Sequence, residues 1–349
     1  MEALPRKQKI FKILLKILNI HTEFPNIKNK LYKIKKEGEK YMLKYIGKRF
    51  LVSLLTILVV ITVTFFLMRL MPGGPFDGDK LTPQVKANMA AKYGTDKPLF
   101  DQYTMYLNNL VHGDFGESMV FEGRGVADTI SKSFPASAEL GIIAVIMSLI
   151  GGILLGTLAA LKNGKWPDRV VVFIATLCIT IPSFVIGAVL IYILGVELQL
   201  LPPTGFGEWK NDIMPCIALS ASSLSFITRL TRSKLIDVLK SDYIRTAKAK
   251  GLSKSTIIFK HALRNSLIPI VTYIGPLTAS ILTGGFVTEK IFAIPGLGNE
   301  FVQSVTNRDY SMLLGVTVFY CTMLIFFTFF VDLLYILIDP RIKLQDAEV

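Results

Sequence analysis

Residues 242–269 read DYIRTAKAKGLSKSTIIFKHALRNSLIP, a basic, helix-patterned arm between two of the most apolar stretches of the chain. Helix formers persist through 245–250, and Gly251 follows, a residue that closes a helix in the left-handed conformation without steric cost. Ser253 is suited to cap a second helix, KSTIIFKHALRN, with Ile258 and Ala262 on one face. Pro269 comes a few residues later, inside the next apolar run. Leu235, Leu239 and Tyr243 continue one apolar stripe into the first helix. The expectation is helix, glycine bend, helix, then membrane: a knob whose tip, at Ala247, Ala249 and Gly251, is low in bulk and open to close approach. The plainer alternative is that alanine is simply the best helix former and the lysines mark one side of a membrane.

The surrounding sequence makes that membrane explicit. The chain is 51% hydrophobic, yet its formal net charge is +13. Its apolar residues are bundled into runs instead of dispersed at helix or strand period. A bilayer core needs about 20 apolar residues per helix, and six segments qualify: 46–70, 137–161, 170–195, 213–231, 267–288 and 311–338. The fold class is therefore an all-α polytopic membrane protein. Lysine and arginine collect on the cytoplasmic side of short loops. Six spans put 1–45, 162–169, 232–266 and 339–349 together. With Lys48, Arg49 and Arg229 at the ends of the adjoining spans included, that side holds 29 basic residues against nine on the other. Both termini are expected in the cytoplasm.

The segments between the spans differ in character. In MEALPRKQKIFKILLKILNI, Ile10, Ile13, Leu14, Ile17 and Leu18 make one helical face with Lys9, Lys12 and Lys16 off it, the pattern of a helix lying in the membrane interface. No small-residue cleavage site follows, which argues against a signal peptide. Residues 71–135 form a long outer segment, with a helix expected from a Thr82 cap to Gly94. It suits either a docking surface for an external partner or a lid over the spans. The organisation is thus a basic extension (1–44), a first span (45–70), an outer segment (71–135), a core (136–343) with a cytoplasmic loop at 232–266, and a tail (344–349).

Chemistry is sparse. Cys178, Cys216 and Cys321 are scattered singly, and His21, His112 and His261 are far apart, so neither disulfides nor a metal site is indicated. Pro182, Ser183, Pro276, Thr278 and Ser280 either line a translocation pathway or serve close helix packing. Asp332 is the one acidic group well inside an expected span, and it reads as structural. No G-x-x-x-x-G-K-[ST] phosphate loop occurs, so the chain is not an ATPase by that route.

RTAKAKG followed by HALRN resembles the coupling loop of ABC-importer permeases, in which E-A-A is followed by three residues, G, nine residues and I-x-L-P. Arg245, Thr246 and Ala247 stand at the E-A-A positions and Gly251 at the glycine. His261, Leu263 and Arg264 stand where I, L and P are expected, so both the glutamate and the proline are replaced. The dipeptide and oligopeptide permease subgroup, which includes nickel carriers, is a closer match. It is carried by KRFLVSLLTILVVITVTFFLMRLMPGGP, FPASAELG, IPSFVIGAVLIYIL, IFAIPGLGNEFVQSVTNRDYSMLLGVTVF and VDLLYILIDPRIK, covering about 45–343. The first-position, B-type subunit is most similar.

The resemblance implies a type I importer architecture and a coupling loop made of Arg245, Thr246, Ala247, Ala249, Gly251, Leu252, Ile258, His261, Ala262, Leu263, Arg264 and Asn265. It also implies a second homologous permease, two cytoplasmic ATP-binding subunits that hold the ATP and Mg, and an extracytoplasmic solute-binding protein. The cargo would be a peptide, with nickel complexes or another small solute as alternatives. Membrane lipids are the remaining partner, and no nucleic acid is implied. An ion-gradient-driven transporter is the rival of a different class, but such proteins keep ionisable residues near the midplane, and these spans carry essentially none. An intramembrane enzyme has only the serines of 220–225 to cite, without a base to activate them.

Overall fold

The computed structural model describes residues 24–70, 73–76 and 82–338. The expected surface helix of the first twenty residues and the tail 344–349 lie outside the described residues, as does the side chain of Asp332. The chain is helical. Helix α1 (Phe24–Leu70) runs without a break from the basic extension through the first apolar run. Helices α2 (Pro83–Tyr93) and α3 (Leu99–Val111) form the outer segment, followed by α4 (Val126–Leu161) and α5 (Trp166–Thr180). Helix α6 (Ser183–Leu190) continues as π-wound turns over Ile191–Glu197, and α7 is Trp209–Leu239. By its internal contacts the chain divides into two units. One is Leu55–Asp332; the other takes the residues up to Leu54 and those from Leu333 on.

Helices α4 and α7 are the spine of the larger unit, and small residues bring them together. A Cβ at Gly152 would lie 2.7 Å from Ile227 Cβ, and one at Gly156 would lie 2.6 Å from the Thr228 carbonyl oxygen. The absence of both lets the two backbones touch, the usual device of membrane helices. The Ser148 hydroxyl, already bonded to Ala144 O within its own helix, reaches Ser220 O across the seam at 3.3 Å. Ala144, Ile227, Ile270, Leu277 and Ile281 bury the apolar layer beside it.

The expected count of six full spans is met in part. Among the described residues, four helices are long and apolar enough to cross a bilayer: 46–70 within α1, α4, α7 and, over Tyr310–Phe330, helix α13 (Tyr310–Ile338). The expected third span, 170–195, is not one rod. It is α5 and α6, bent by 108° at the break before Pro182. A proline cannot donate to the preceding turn, and it drives the residue before it out of helical geometry; Ile181 has φ −84° and ψ 125°. The expected fifth span, 267–288, is helix α10 (Ile268–Gly284), whose 17 residues reach only about 25 Å. It is followed by two short helices, α11 (Phe286–Ile291) and α12 (Leu297–Asn307).

The outer elements are fastened by buried polar groups. Thr82 caps α2 by accepting from Val85 N at 3.4 Å, and Gly94 closes it at φ +66°, as the sequence indicated. The α2 residue Tyr93 donates to Ser118 O at 2.9 Å. Buried Asp309 accepts from the Ser118 hydroxyl, from Met119 N at 3.1 Å and from Met312 N at 3.2 Å, tying the outer segment to the start of α13. Arg124 pairs with Glu300 at 2.8 Å. Glu289, also buried, accepts from Gly298 N at 2.7 Å and so places a carboxylate on the amino end of α12.

Candidate coupling site

Helix α7 has 31 residues and extends about 46 Å, well beyond a hydrocarbon core of about 30 Å. Its final turns form a shaft, and the chain then folds into a knob. Helix α8 (Asp242–Ala249) begins with Asp242 in its first turn and ends with Lys248 in its last, both favourable to the helix dipole. Gly251 adopts φ +74°. Its amide donates to Lys248 O at 3.0 Å and that of Leu252 to Ala247 O at 3.3 Å, the paired bonds of a Schellman cap. Ser253 then caps the next segment, accepting from Thr256 N at 3.3 Å. The expected bend and both of its signals are present.

The second arm, α9, is not a plain helix. It is an α-turn (Lys254–Thr256), π-wound turns over Ile257–Leu263 and a further α-turn (Arg264–Ser266). Helix α10 starts after Leu267.

Inside the knob, Ala160, Leu235, Ile244, Ala247, Ile257 and Ala262 form one buried apolar cluster. This corrects the expectation for Ala247. It does not lie at the tip with Ala249 and Gly251 but packs inward, 7% exposed. The expected stripe is corrected with it: Leu235 is buried, Leu239 half-buried and Tyr243 exposed. Ser241 has extended backbone between α7 and α8, so the second helix starts afresh with its own phase, and Ile244 and Ala247 turn inward.

The expected coupling residues thus divide by position. Arg245, Thr246, Ala249, Gly251, Leu252, Arg264 and Asn265 are exposed. His261 and Leu263 are half-buried, while Ala247, Ile258 and Ala262 support the fold from within. Asn265 donates to the Tyr243 hydroxyl at 2.8 Å and closes the knob across its base. Arg245 pairs with Asp242 at 3.3 Å on an open surface, where such a pair adds little. Tyr243 and Phe259 present exposed rings absent from the expected site.

Below the knob is a clamp with no local sequence signal. Arg232 Nε lies 2.5 Å from Asp168 Oδ1, and its Nη2 lies 2.8 Å from Asp168 Oδ2 and 3.0 Å from Asn163 Oδ1. Asp168 also accepts from Gly164 N at 2.8 Å and is 3% exposed. A guanidinium fork on a carboxylate fixes direction as well as distance.

The expected pathway residues stand on two elements. Pro182 and Ser183 stand at the α5–α6 break, Pro182 exposed and Ser183 half-buried. Pro276 and Ser280 lie on α10, Pro276 exposed, and the Thr278 hydroxyl is bonded to Ile274 O at 2.7 Å in its own helix. The two described cavities lie elsewhere. One of about 250 Å³ is lined by residues of 122–133, and one of about 410 Å³ is bounded by Arg69, Lys86, Gln102 and Tyr310.

The chain matches the family model "Binding-protein-dependent transport system inner membrane component" over residues 152–344, and the model of that family's N-terminal membrane component over 42–147. It is 46% identical over 305 residues to the dipeptide transport system permease protein DppB of Bacillus subtilis, covering 87% of this chain and 99% of that protein. It is 44% identical over 306 residues to the oligopeptide transport system permease protein OppB of Haemophilus influenzae, covering 86% and 100%. Among solved structures, an inward-facing form of the MetNI methionine ABC transporter aligns with a TM-score of 0.51 at 16% identity, covering 60% of this chain and 96% of that one, a likeness of fold. The apolar spans and these relatives agree: the chain belongs to the inner-membrane permeases of binding-protein-dependent ABC importers, in their dipeptide and oligopeptide branch.

Proposed function

We propose that this permease passes di- or oligopeptides into the cytoplasm by alternating access, driven by ATP hydrolysed in other subunits. The observation that carries the reading is the knob: a short helix, a Schellman bend at Gly251 and a second arm, gathered round a buried apolar cluster at the end of a helix longer than the bilayer's hydrocarbon core. A projection with an exposed, low-bulk tip suits insertion into a partner's groove. The groove belongs to one of two cytoplasmic ATP-binding subunits, which hold ATP and Mg. A second homologous permease completes the pore, and an external solute-binding protein delivers cargo to the outer segment. Both termini are cytoplasmic. The exposed contacts are Arg245, Thr246, Ala249, Gly251, Leu252, Arg264 and Asn265. Ala247, Ile258, His261, Ala262 and Leu263 maintain their placement. Pro182, Ser183, Pro276, Thr278 and Ser280 belong to the helices that border the pathway.

Each ligand-driven state of such a pore is favoured only by the free energy with which the partner prefers it. The test is a single introduced cysteine, Ala249→Cys, in the complete complex. It is expected to crosslink to an ATPase subunit, with uptake of labelled di- and tripeptides that requires ATP and both ATPases. Labelling of the introduced thiol from outside intact cells, or uptake without the ATPases, overturns the reading.

A further inference from the structure

We propose that Asp168 and Arg232 are positioning residues for transport, joining the bent third span to the shaft of the knob so that displacement of the knob is delivered to the outer end of the membrane region. The inference rests on the knob being the ATPase contact and goes beyond it by naming the route.

The shaft itself offers two exits. One is forward, through α9 into α10. There the chain is π-wound over Ile257–Leu263, interrupted at Leu267 and followed by Pro269 in the first turn of α10. The forward route thus passes through two changes of winding before it reaches α10. The other exit is sideways. Arg232 holds Asp168 through two parallel contacts, in the first turn of α5. Helix α5 runs to the 108° bend, and α6 leaves the bend to lie against Phe292: a Cβ at Gly187 would sit 2.9 Å from Phe292 Cε2. Phe292 is 1% exposed, and its carbonyl accepts from Gly205 N at 3.0 Å, so it is fixed in the outer end of the unit. The sideways route starts from a buried two-point clamp and ends on a buried ring.

Spatial continuity alone does not demonstrate coupling, so the test measures it. The complete complex in proteoliposomes carries Asp168→Asn, Arg232→Gln, the double variant, or Arg232→Lys, which keeps the charge and loses the fork. Labelled di- and tripeptide uptake is read per ATP hydrolysed, alongside ATPase-subunit retention and the crosslink from the cysteine introduced at position 249. Each single variant is expected to retain its ATPases and its crosslink while transporting about ten-fold less per ATP. Arg232→Lys should fall between them and wild type, and the double variant should be no worse than the poorer single. Unchanged transport per ATP, losses that multiply in the double variant, or loss of ATPase retention in step with transport each overturn the proposal. Failure of that crosslink with Asp168 and Arg232 both intact would instead overturn the assignment of the knob.

Discussion

Asn265 donates a hydrogen bond to the Tyr243 hydroxyl at 2.8 Å, joining two residues that are 22 positions apart and lie on opposite arms of the knob. The bond is exposed, so it registers the arms more than it stabilises them. Tyr243→Phe is expected to cost about 0.5–1 kcal/mol locally and to leave membrane insertion unchanged. Hydrogen–deuterium exchange of the amides in 242–249 should quicken by about two- to five-fold. Exchange at the wild-type rate would mean that the apolar cluster alone sets the angle.

Ala247 and Ala249 are two residues apart and should respond in opposite ways. Ala247→Asp places a carboxylate among Leu235, Ile244, Ile257 and Ala262, and an unpaired buried charge costs about 3–5 kcal/mol. Its yield of folded protein should fall sharply. Ala249→Asp, on the exposed side, should give normal yield and lose ATPase binding. Quantitative membrane blots with ATPase pull-down would separate the two, and equal yields would contradict the inward orientation.

Gly251 isolates a backbone effect, because a Cβ there would meet nothing within 4 Å. The left-handed conformation costs an ordinary residue about 1–2 kcal/mol, asparagine less, and a β-branched residue more. ATPase affinity should therefore fall in the order Gly, Asn, Ala, Val. Equal loss for Asn and Val would point to side-chain contact with the partner.

The seam between α4 and α7 gives a packing contrast. A Cβ at Gly156 would strike the Thr228 backbone at 2.6 Å, whereas one at Gly151 would meet the movable Leu224 Cδ1 at 2.9 Å. Overpacking costs about 1–3 kcal/mol, so Gly156→Ala should lower the melting temperature in detergent by several degrees and Gly151→Ala by little. Equal shifts would show that the seam is looser than described.

Glu289 makes stability depend on pH. Burial raises it above its ordinary 4.5, more than hydrogen bonds from Ser137, Gly298 and Asn299 lower it. A carboxyl raised in the folded state favours folding when protonated. That contribution is complete below 4.5 and is lost as pH rises through the raised value. Relative to Glu289→Gln, the wild-type melting temperature should decline as pH climbs from 4.5. Parallel curves for the two proteins would remove the carboxyl from the account.

Local signals carried much of this structure. Thr82 with Gly94 bounded α2, Gly251 with Ser253 bounded the bend, and the apolar runs located the spans. What failed was phase and distance. The stripe from Leu235 to Tyr243 assumed one helix, and extended backbone at Ser241 reset the rotation, which sent Ala247 inward. Pro182 announced a disturbance without its size, because a 108° turn depends on what α6 packs against. Asp168 and Arg232 are 64 residues apart and meet only through the antiparallel course of their helices, for which no local pattern exists.

Eight residues of α7 lie beyond position 231, where the expected fourth span ends, and separate it from the knob. Inserting or deleting one would change the stand-off from the lipid by about 1.5 Å and swing the knob by about 100°. Height and heading are thus set by a single integer, and evolution can retune the fit to a motor through side chains far more easily than through length.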